Sequence, residues 1–468
     1  MAAREARSER GSTVSPARRE AFAILIKVAR GEAHSDDLLR GKRVSALSAA
    51  DRHLCTALVL GVLRWQMVLD ARVRPLLARP GAKLDDAVAI ALRLGAFQLW
   101  FMDRIPAHAA ISESVALTKE AGHRFAAGMV NAVLRKAGLE KHAASDASAA
   151  FPRWMVERWE RFYGAEAAQR ICVQGQQVPA LTLRMTDTAV EDKLTQEGIA
   201  CAPGLLLTKA WRVLAGDVTA TDALLTGRAR IQEEGSQLIA ELSRSGSFVP
   251  KRILDCCAAP GGKTLGMAEG NPQAQMTACE ISKPRFEALE RRLQEAAQRN
   301  AWQEKHVDTV QGDVTQLALK AEYDFVLADV PCSGTGTLGR NPEIRHRLTV
   351  EDLARHHERQ CAILRAALAA AAPGRARVVY STCSLEPEEN EAVVAEVLVE
   401  AKGWRQVLLG EVMQELHAEG RVTNSGLALL MACVTQEGAL LLLPGVLGKE
   451  HSTDGFFMAM LERVLRSS

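Results

Sequence analysis

The stretch DCCAAPGGKT, residues 255–264, decides the fold of this chain. It follows a short apolar run, Ile253-Leu254, and precedes a helical pattern, so it joins a strand to a helix. The paired glycines Gly261 and Gly262 let the backbone turn sharply and approach a ligand where a side chain would collide. A strand, a glycine-rich turn and a helix in this order predict the first unit of an α/β ligand-binding sheet.

Downstream of Pro250 short apolar strands alternate with helices. The strands are predicted at 253–254, 276–279, 307–310, 325–328 and 378–380, and the helices at 264–268, 283–299, 350–372 and 388–401. This alternation predicts a parallel, doubly wound α/β sheet, and we expect a Rossmann-like domain over residues 247–468.

The residues upstream of 247 show a different spacing of apolar residues. Apolar residues recur at helical spacing over residues 15–140, as in Leu54, Leu58, Val62 and Trp65, which predicts an all-α bundle. An Ala/Ser-rich linker is predicted over 142–150. A small α+β domain is expected over residues 150–246, because an aromatic helix is followed there by a strand-like segment. The sequence therefore predicts a multidomain protein.

Composition limits the class of protein. With 468 residues, 48% hydrophobic and 24% charged, the chain has the composition of a globular protein of two to three domains. Its apolar runs are short and its charged N-terminus lacks a signal-peptide core, so we expect a cytoplasmic monomer without a membrane. Ten cysteines without Cys-x2-Cys spacing predict free thiols and no metal. The net charge of +2 is much lower than that of a strongly basic nucleic-acid-binding protein. RNA binding must therefore rest on local clusters of basic residues.

Acidic residues follow the next two predicted strands. Glu280 ends the second, at about the distance along the chain where a carboxylate meets ribose hydroxyls, and Asp313 ends the third, within reach of an adenine amino group. One ligand with ribose and adenine would satisfy both, although each residue could simply cap its strand end. A P-loop is disfavoured, because position 257 holds Cys where its first glycine would stand.

Two cysteines follow predicted strands: Cys332 in DVPCSG, residues 329–334, and Cys383 in YSTCS, residues 380–384. Strand ends share one rim in an open α/β sheet, so both thiols are expected beside the cofactor loop. A thiolate that adds to C6 of cytosine makes C5 nucleophilic, which suits methyl transfer. Asp329 could hold N3 of the ring or, alternatively, orient the Pro-Cys loop.

These motifs resemble the RNA (cytosine-5) methyltransferase family. The similarity extends to RNPEIR, residues 340–345, PEEN, residues 387–390, and TDGFF, residues 453–457. The N-terminal bundle resembles the RNA-binding NusB family, and the domain order is similar to that of bacterial 16S rRNA methyltransferases. Three alternatives stay open: methylation of another RNA such as tRNA, a DNA cytosine-5 methyltransferase, and a non-catalytic antitermination protein.

The resemblance implies a role for each matched position. Cys383 is expected to be the nucleophile, Cys332 to aid product release, and S-adenosylmethionine to be the methyl donor for 16S rRNA. The implied catalytic set is Cys383, Cys332 and Asp329, and the implied cofactor set is Cys257, Ala258, Ala259, Pro260, Gly261, Gly262, Lys263, Glu280, Asp313 and Asp329. The sequence departs from the family at Glu280, where Asp is usual, and at Cys256, where a larger apolar residue is common. Arg340, Arg345 and Arg347 are expected to contact phosphates.

Overall fold

The structure is a computed structural model that describes residues 14–140, 146–186, 189–300, 306–448, 451 and 453–464. The chain forms two compact units. The helical unit comprises Met1–Val178 and Leu338–Arg347, and the α/β unit comprises Pro179–Thr337 and Leu348–Ser468. The ten-residue segment Leu338–Arg347, from the last third of the chain, therefore belongs to the unit built mainly by Met1–Val178.

The helical unit is an all-α bundle, as predicted. Its helices are Pro16–Ala29, Ser35–Leu39, Lys42–Ser45, Ala49–Val73, Asp86–Phe101, Ala107–Glu120, Ala127–Ala137, Arg153–Tyr163, Ala165–Gln176 and Ile344–Arg347. Ser48 and Asp85 cap the two long helices, each accepting a hydrogen bond from a first-turn backbone N–H. Leu58 and Val62 lie on the buried face, so the helical spacing identified the core correctly.

One helical segment, Ala49–Leu76, is long and apolar enough to cross a membrane by length and composition alone. Half of its most apolar window is buried among the other helices of the unit. Core helices of globular proteins pass the same test, and Leu58, Val62 and Leu69 belong to this core.

The α/β unit begins with a small antiparallel sheet of order β2-β3-β1-β4. Its strands are β1 (Thr182–Met185), β2 (Ala200–Pro203), β3 (Ala210–Ala215) and β4 (Ala229–Ile231), and its helices are Ala189–Gln196, Asp222–Leu225 and Glu234–Glu241. A small α+β fold is present as predicted, but the aromatic helix that was expected to open it, Arg153–Tyr163, belongs to the helical unit. Of the predicted linker, Ala147–Ala150 forms a 3-10 turn, and residues 142–145 lie outside the described residues.

The large sheet has eight strands in the order β10-β12-β9-β8-β5-β6-β7, with β11 paired to β12. The strands are β5 (Arg252–Asp255), β6 (Gln275–Glu280), β7 (Val307–Gln311), β8 (Phe325–Asp329), β9 (Arg377–Thr382), β10 (Trp404–Val407), β11 (Leu440–Leu442) and β12 (Phe456–Arg463). Strands β5 to β9 pair in parallel, and β12 pairs antiparallel with β9, β10 and β11. The expectation of a wholly parallel sheet is wrong at this edge, because an apolar run such as FFMAML predicts a buried strand but not its direction.

Helices connect and flank these strands. They are Gly262–Gly270, Lys283–Asn300, Val350–Ala370, Glu391–Glu400, Leu409–Ala418 and Asn424–Ala432. From β5 the chain proceeds to β6 and β7 on one side, and β8 and β9 lie on the other side. The loop after β5 therefore sits where the strand order reverses, which is the usual ligand position in open α/β sheets.

Candidate functional site

The loop after β5 is shaped for close approach of a ligand. Gly261 has φ +92°, and a Cβ there would lie 2.8 Å from Leu289 Cδ1. The Ala258 N–H donates to the carbonyl of Cys279 at 2.8 Å, which ties the loop to the end of β6. The loop ends in the helix Gly262–Gly270, whose first N–H groups carry a partial positive charge. A side chain at position 261 would collide with Leu289 and would be strained at this φ, so the turn requires glycine.

Asp255, the last residue of β5, is almost fully buried and was not among the expected site residues. Its Oδ2 accepts a hydrogen bond from Thr264 Oγ1 at 2.7 Å, and its Oδ1 has no partner among the described residues. Burial raises the pKa of Asp255 to about 7. Asp255 could have been identified from the sequence, since it is the first residue of the stretch DCCAAPGGKT.

Three carboxylates surround the thiol of Cys257. Burial, and then the negative charges of Asp255, Asp329 and Glu280, raise the pKa of Cys257 well above its usual value. These carboxylates end β5, β8 and β6 respectively. Carboxylates at the ends of three strands thus act on one thiol of the loop, and a shared ligand site there stays a prediction.

Glu280 and Asp313 each use one oxygen to hold a local turn. Glu280 Oε1 accepts from the Ser282 N–H at 2.9 Å, and Asp313 Oδ1 accepts from Thr315 N at 3.0 Å and Oγ1 at 2.8 Å. The Gly312 N–H donates to the Glu280 carbonyl at 3.0 Å and brings the two strand ends together. The second carboxylate oxygens accept no hydrogen bond from the described residues. Both residues therefore cap their turns, and binding of ribose or adenine stays a prediction.

Lys263 and Asp329 form an ion pair at the centre of the site, with Nζ and Oδ2 2.8 Å apart. Burial alone would lower the pKa of Lys263, but the Asp329 carboxylate outweighs it, so the pKa is raised. Ser381 Oγ donates to Asp329 Oδ1 at 2.8 Å. Asp329 thus links Lys263 to Ser381 of β9, two residues before Cys383, and its proposed roles towards N3 or the Pro-Cys loop stay predictions.

The two predicted catalytic cysteines are in contact. Cys332 Sγ and Cys383 Sγ lie 3.4 Å apart, and both side chains are partly buried. The hydrogen bond with Cys383 and then burial raise the pKa of Cys332 well above that of a free thiol. All ten cysteines are free thiols, as expected. The structure therefore places a neutral thiol, Cys332, against the sulfur of Cys383.

Sequence reasoning missed Glu389 as a site residue. It is fully buried and accepts hydrogen bonds from Ser333 and Ser384, the residues that follow the two cysteines. It belongs to the PEEN string, residues 387–390, which the resemblance had singled out without a role.

The expected phosphate contact is wrong for Arg345, whereas for Arg340 and Arg347 it stays a prediction. Arg345 is 1% exposed and donates to the backbone carbonyls of Arg64, Ala150, Gly175 and Leu338 at 3.0–3.2 Å, all within the helical unit. Arg347 donates to two further carbonyls in that unit. The buried guanidinium group of Arg345 therefore satisfies backbone oxygens and is not accessible to a phosphate.

A second polar cluster lies on the helices Val350–Ala370 and Glu391–Glu400. Ligand atoms of His357, Cys361 and Glu396 lie within 4.8 Å of one another. His357 bonds through Nδ1 to the Glu388 carbonyl at 2.7 Å and through Nε2 to Glu396 at 2.9 Å. Burial lowers the pKa of His357, but these hydrogen bonds outweigh it and raise the value. Both ring nitrogens of His357 are engaged in hydrogen bonds, and the absence of a metal site stays our prediction.

Three family models match the chain. The 16S rRNA methyltransferase RsmB/F family matches residues 249–462, the NusB family matches 15–138, and the ferredoxin-like domain of RsmF/B-like methyltransferases matches 151–216. The two resemblances predicted from the motifs are thereby confirmed. For the middle segment the sequence had predicted only a small α+β fold.

Individual relatives agree with these matches. A probable ribosomal RNA small subunit methyltransferase B of Bacillus subtilis (strain 168) is 30% identical over 461 residues, which cover 95% of this chain and 98% of the relative. The crystal structure of PH0851 is similar with a TM-score of 0.74 at 20% identity, covering 97% of this chain and 100% of the other. The crystal structure of NSun6 from Pyrococcus horikoshii with SFG gives a TM-score of 0.52 at 19% identity, covering 67% and 99%. At these identities the two structures show a shared fold.

Proposed function

Because the chain belongs to the 16S rRNA methyltransferase RsmB/F family, we propose that it methylates carbon 5 of a cytosine in small-subunit ribosomal RNA. Residues 15–140 and 150–246 are proposed to hold structured RNA, and residues 247–468 to carry out the transfer. We further propose that the enzyme works in the cytoplasm as a monomer, without a membrane and without a metal ion.

The methyl donor is S-adenosylmethionine, which supplies an electrophilic methyl group. The loop Cys257–Lys263 is proposed to hold it together with Glu280, Asp313 and Asp329. Two observations support this fit. Gly261 takes the left-handed φ of +92° with which the chain turns from β5 into the helix Gly262–Gly270, and the carboxylates of Glu280 and Asp313 each have an oxygen that accepts no hydrogen bond from the described residues. Ribose hydroxyls and an adenine amino group are donors of the kind these oxygens need.

In the proposed reaction the Cys383 thiolate adds to C6 of the cytosine. The S–C6 bond forms, the C5=C6 electrons become available at C5, and C5 gains the methyl group. Lys263 lies within electrostatic range of Cys383, so its ammonium group is beside the proposed nucleophile. Asp329, beside Lys263, is proposed to hold N3 of the ring. A base, either the deprotonated Cys332 or a water molecule, then accepts the C5 proton. The C5–H electrons restore the C5=C6 bond, and the S–C6 bond breaks to release the Cys383 thiolate.

The contact between the two sulfurs carries the proposal. Cys332 and Cys383 stand at the ends of the neighbouring strands β8 and β9, next to the Lys263–Asp329 ion pair. Addition and release need two groups at one ring, and a separation of 3.4 Å puts both thiols within reach of a single base.

A trapping experiment tests the proposed roles. With 16S rRNA and S-adenosylmethionine, Cys332→Ala is expected to accumulate a covalent enzyme–RNA adduct on a denaturing gel, because release is blocked after addition. Cys383→Ala is expected to form no adduct and to transfer no methyl group. Cys201→Ala, a partly buried thiol of the small sheet, serves as the matched control and is expected to turn over like the parent. Methyl transfer by Cys383→Ala would refute the assignment.

The substrate RNA needs a separate test. Bisulfite sequencing of 16S rRNA and tRNA from a deletion strain is expected to show one cytosine of 16S rRNA losing its mark. The mark should return with the parent gene and not with Cys383→Ala. Loss of a tRNA mark instead would assign the activity to tRNA.

A further inference from the structure

Glu389 joins the two cysteine loops through a single carboxylate. Its Oε1 accepts from the Ser333 N–H at 2.8 Å and from Gln360 Nε2 at 2.9 Å. Its Oε2 accepts from the hydroxyls of Ser333 and Ser384. Ser333 follows Cys332 and Ser384 follows Cys383, so one buried group restrains the residue after each sulfur.

Further contacts make this arrangement specific. Ser333 Oγ and Ser384 Oγ lie 3.0 Å apart, and Gln360 also donates to the carbonyl of Pro331, the residue before Cys332, at 3.0 Å. The Cys332 loop is therefore held on both sides of its sulfur. Hydrogen bonds to a buried carboxylate are stronger than neutral ones, because the charge is poorly screened in the protein interior.

We propose that Glu389 is a positioning residue that sets the distance between Cys332 and Cys383, so that Cys332 can complete the reaction that Cys383 begins. Glu389 does not contact the reacting atoms and acts through Ser333 and Ser384. The effect of Glu389 on catalysis rests on the proposed function. Its effect on the distance between the two sulfurs does not.

The backbone offers a frame that survives removal of these side-chain bonds. The Gly336 N–H donates to the Cys383 carbonyl at 2.9 Å, and the Val330 N–H donates to the Ser381 carbonyl at 3.0 Å. We therefore expect Glu389→Gln to fold, since glutamine keeps the shape and replaces one acceptor oxygen with a donor. In this variant the loops stay adjacent, but the sulfurs sample a wider range of separations.

The first measurement is independent of RNA. Diamide oxidises two adjacent thiols to a disulfide, and the two electrons and two protons reduce its N=N bond to a hydrazine. Peptide mass mapping follows formation of the Cys332–Cys383 disulfide. In Glu389→Gln the rate is expected to fall about tenfold, as the loss of a strong buried hydrogen bond implies. Glu234→Gln is the matched control, since Glu234 is also buried and accepts only from neutral groups, the N–H groups of residues 205–207.

The second measurement is catalytic. Glu389→Gln is expected to lower kcat about tenfold with little change in the KM for RNA, and to accumulate the covalent adduct, because Cys383 still adds while release slows. A residue that only stabilises the fold would change neither the disulfide rate nor the balance between adduct and product in folded protein.

The outcomes separate the two proposals. A folded Glu389→Gln with the parent's disulfide rate and kcat overturns the positioning role. If the parent forms no adduct but its disulfide rate still depends on Glu389, the positioning role stands and the covalent mechanism fails. Should Glu389→Gln not fold, Ser384→Ala removes the link to the Cys383 loop, and a parent-like disulfide rate in that variant overturns the inference.

Discussion

Two consecutive segments, residues 329–337 and 338–347, differ in where their polar side chains lie. In the first, Asp329 is paired with Lys263 and the sulfur of Cys332 faces that of Cys383, so chemical groups converge on a shared space. In the second, the guanidinium group of Arg345 is buried in the helical unit, and backbone carbonyls accept its hydrogen bonds. Proximity in sequence to a reactive cysteine therefore says little about whether a charge is available to a ligand.

The energetic cost of burying Arg345 explains why the second segment stabilises the helical unit and does not bind a ligand. Burial, together with the nearby positive charge of Arg64, lowers the pKa of Arg345 to about 9. The guanidinium lies 4.0 Å from the centre of the Phe151 ring, and its bonds satisfy the carbonyls of three separated chain segments. Such a group stabilises a loop conformation and cannot reach an RNA backbone.

The largest effect is expected in the first segment. Asp329→Asn removes the charge that pairs with Lys263 and the proposed contact to N3 of the cytosine, so turnover should fall by about 10²–10⁴-fold, the usual contribution of such a group. Single-turnover methyl transfer with 16S rRNA measures this. The unfolding midpoint should change little in comparison. If turnover were unchanged, Asp329 would belong with the structural residues of the second segment.

Arg345→Met tests the second segment. Loss of hydrogen bonds to several buried carbonyls should lower the free energy of unfolding by about 2–4 kcal/mol. Denaturant titration measures this. The slope of log K against log salt for RNA binding should stay the same, because no phosphate contact is lost. A decrease of about one in that slope would restore the phosphate role that the sequence suggested.

A smaller effect is expected at Asp255, the buried acid behind the first segment. Its pKa is raised to about 7 in the folded protein, so the unfolded chain ionises first as pH rises. Asp255 therefore stabilises the fold at low pH, and that contribution is lost as pH rises towards 7. Asp255→Asn should remove about 2 kcal/mol of the decrease in unfolding free energy between about pH 5 and about pH 8. Denaturant titrations of both proteins at the two pH values measure this, and parallel profiles would contradict it.

Much of the fold follows from local patterns. Helical spacing identified Leu58 and Val62 as core, and strand-loop-helix order placed the reactive loops at one edge of the sheet. The contact of Cys332 with Cys383 could be expected, because both follow strands that pair in parallel. These features depend on residues close together in the chain.

What the sequence did not reveal depends on distant partners. Arg345 is buried because Arg64, Ala150 and Gly175 present carbonyls to it, and nothing in the RNPEIR string encodes them. Glu389 acquires its role only when the loops from β8 and β9 meet, although both serines were visible beside the cysteines. The direction of β12 was hidden for the same reason, since its apolar run is compatible with either pairing.

The membership of Leu338–Arg347 in the helical unit has a consequence for dividing the protein. A cut after Val178 would leave a first fragment that lacks an internal piece of its own unit, and a second fragment that carries that piece on a loop. Co-produced halves should therefore reassemble as complementary fragments, with Arg345 as the anchoring group. The N-terminal bundle is therefore not an independent domain, because Leu338–Arg347 is part of it.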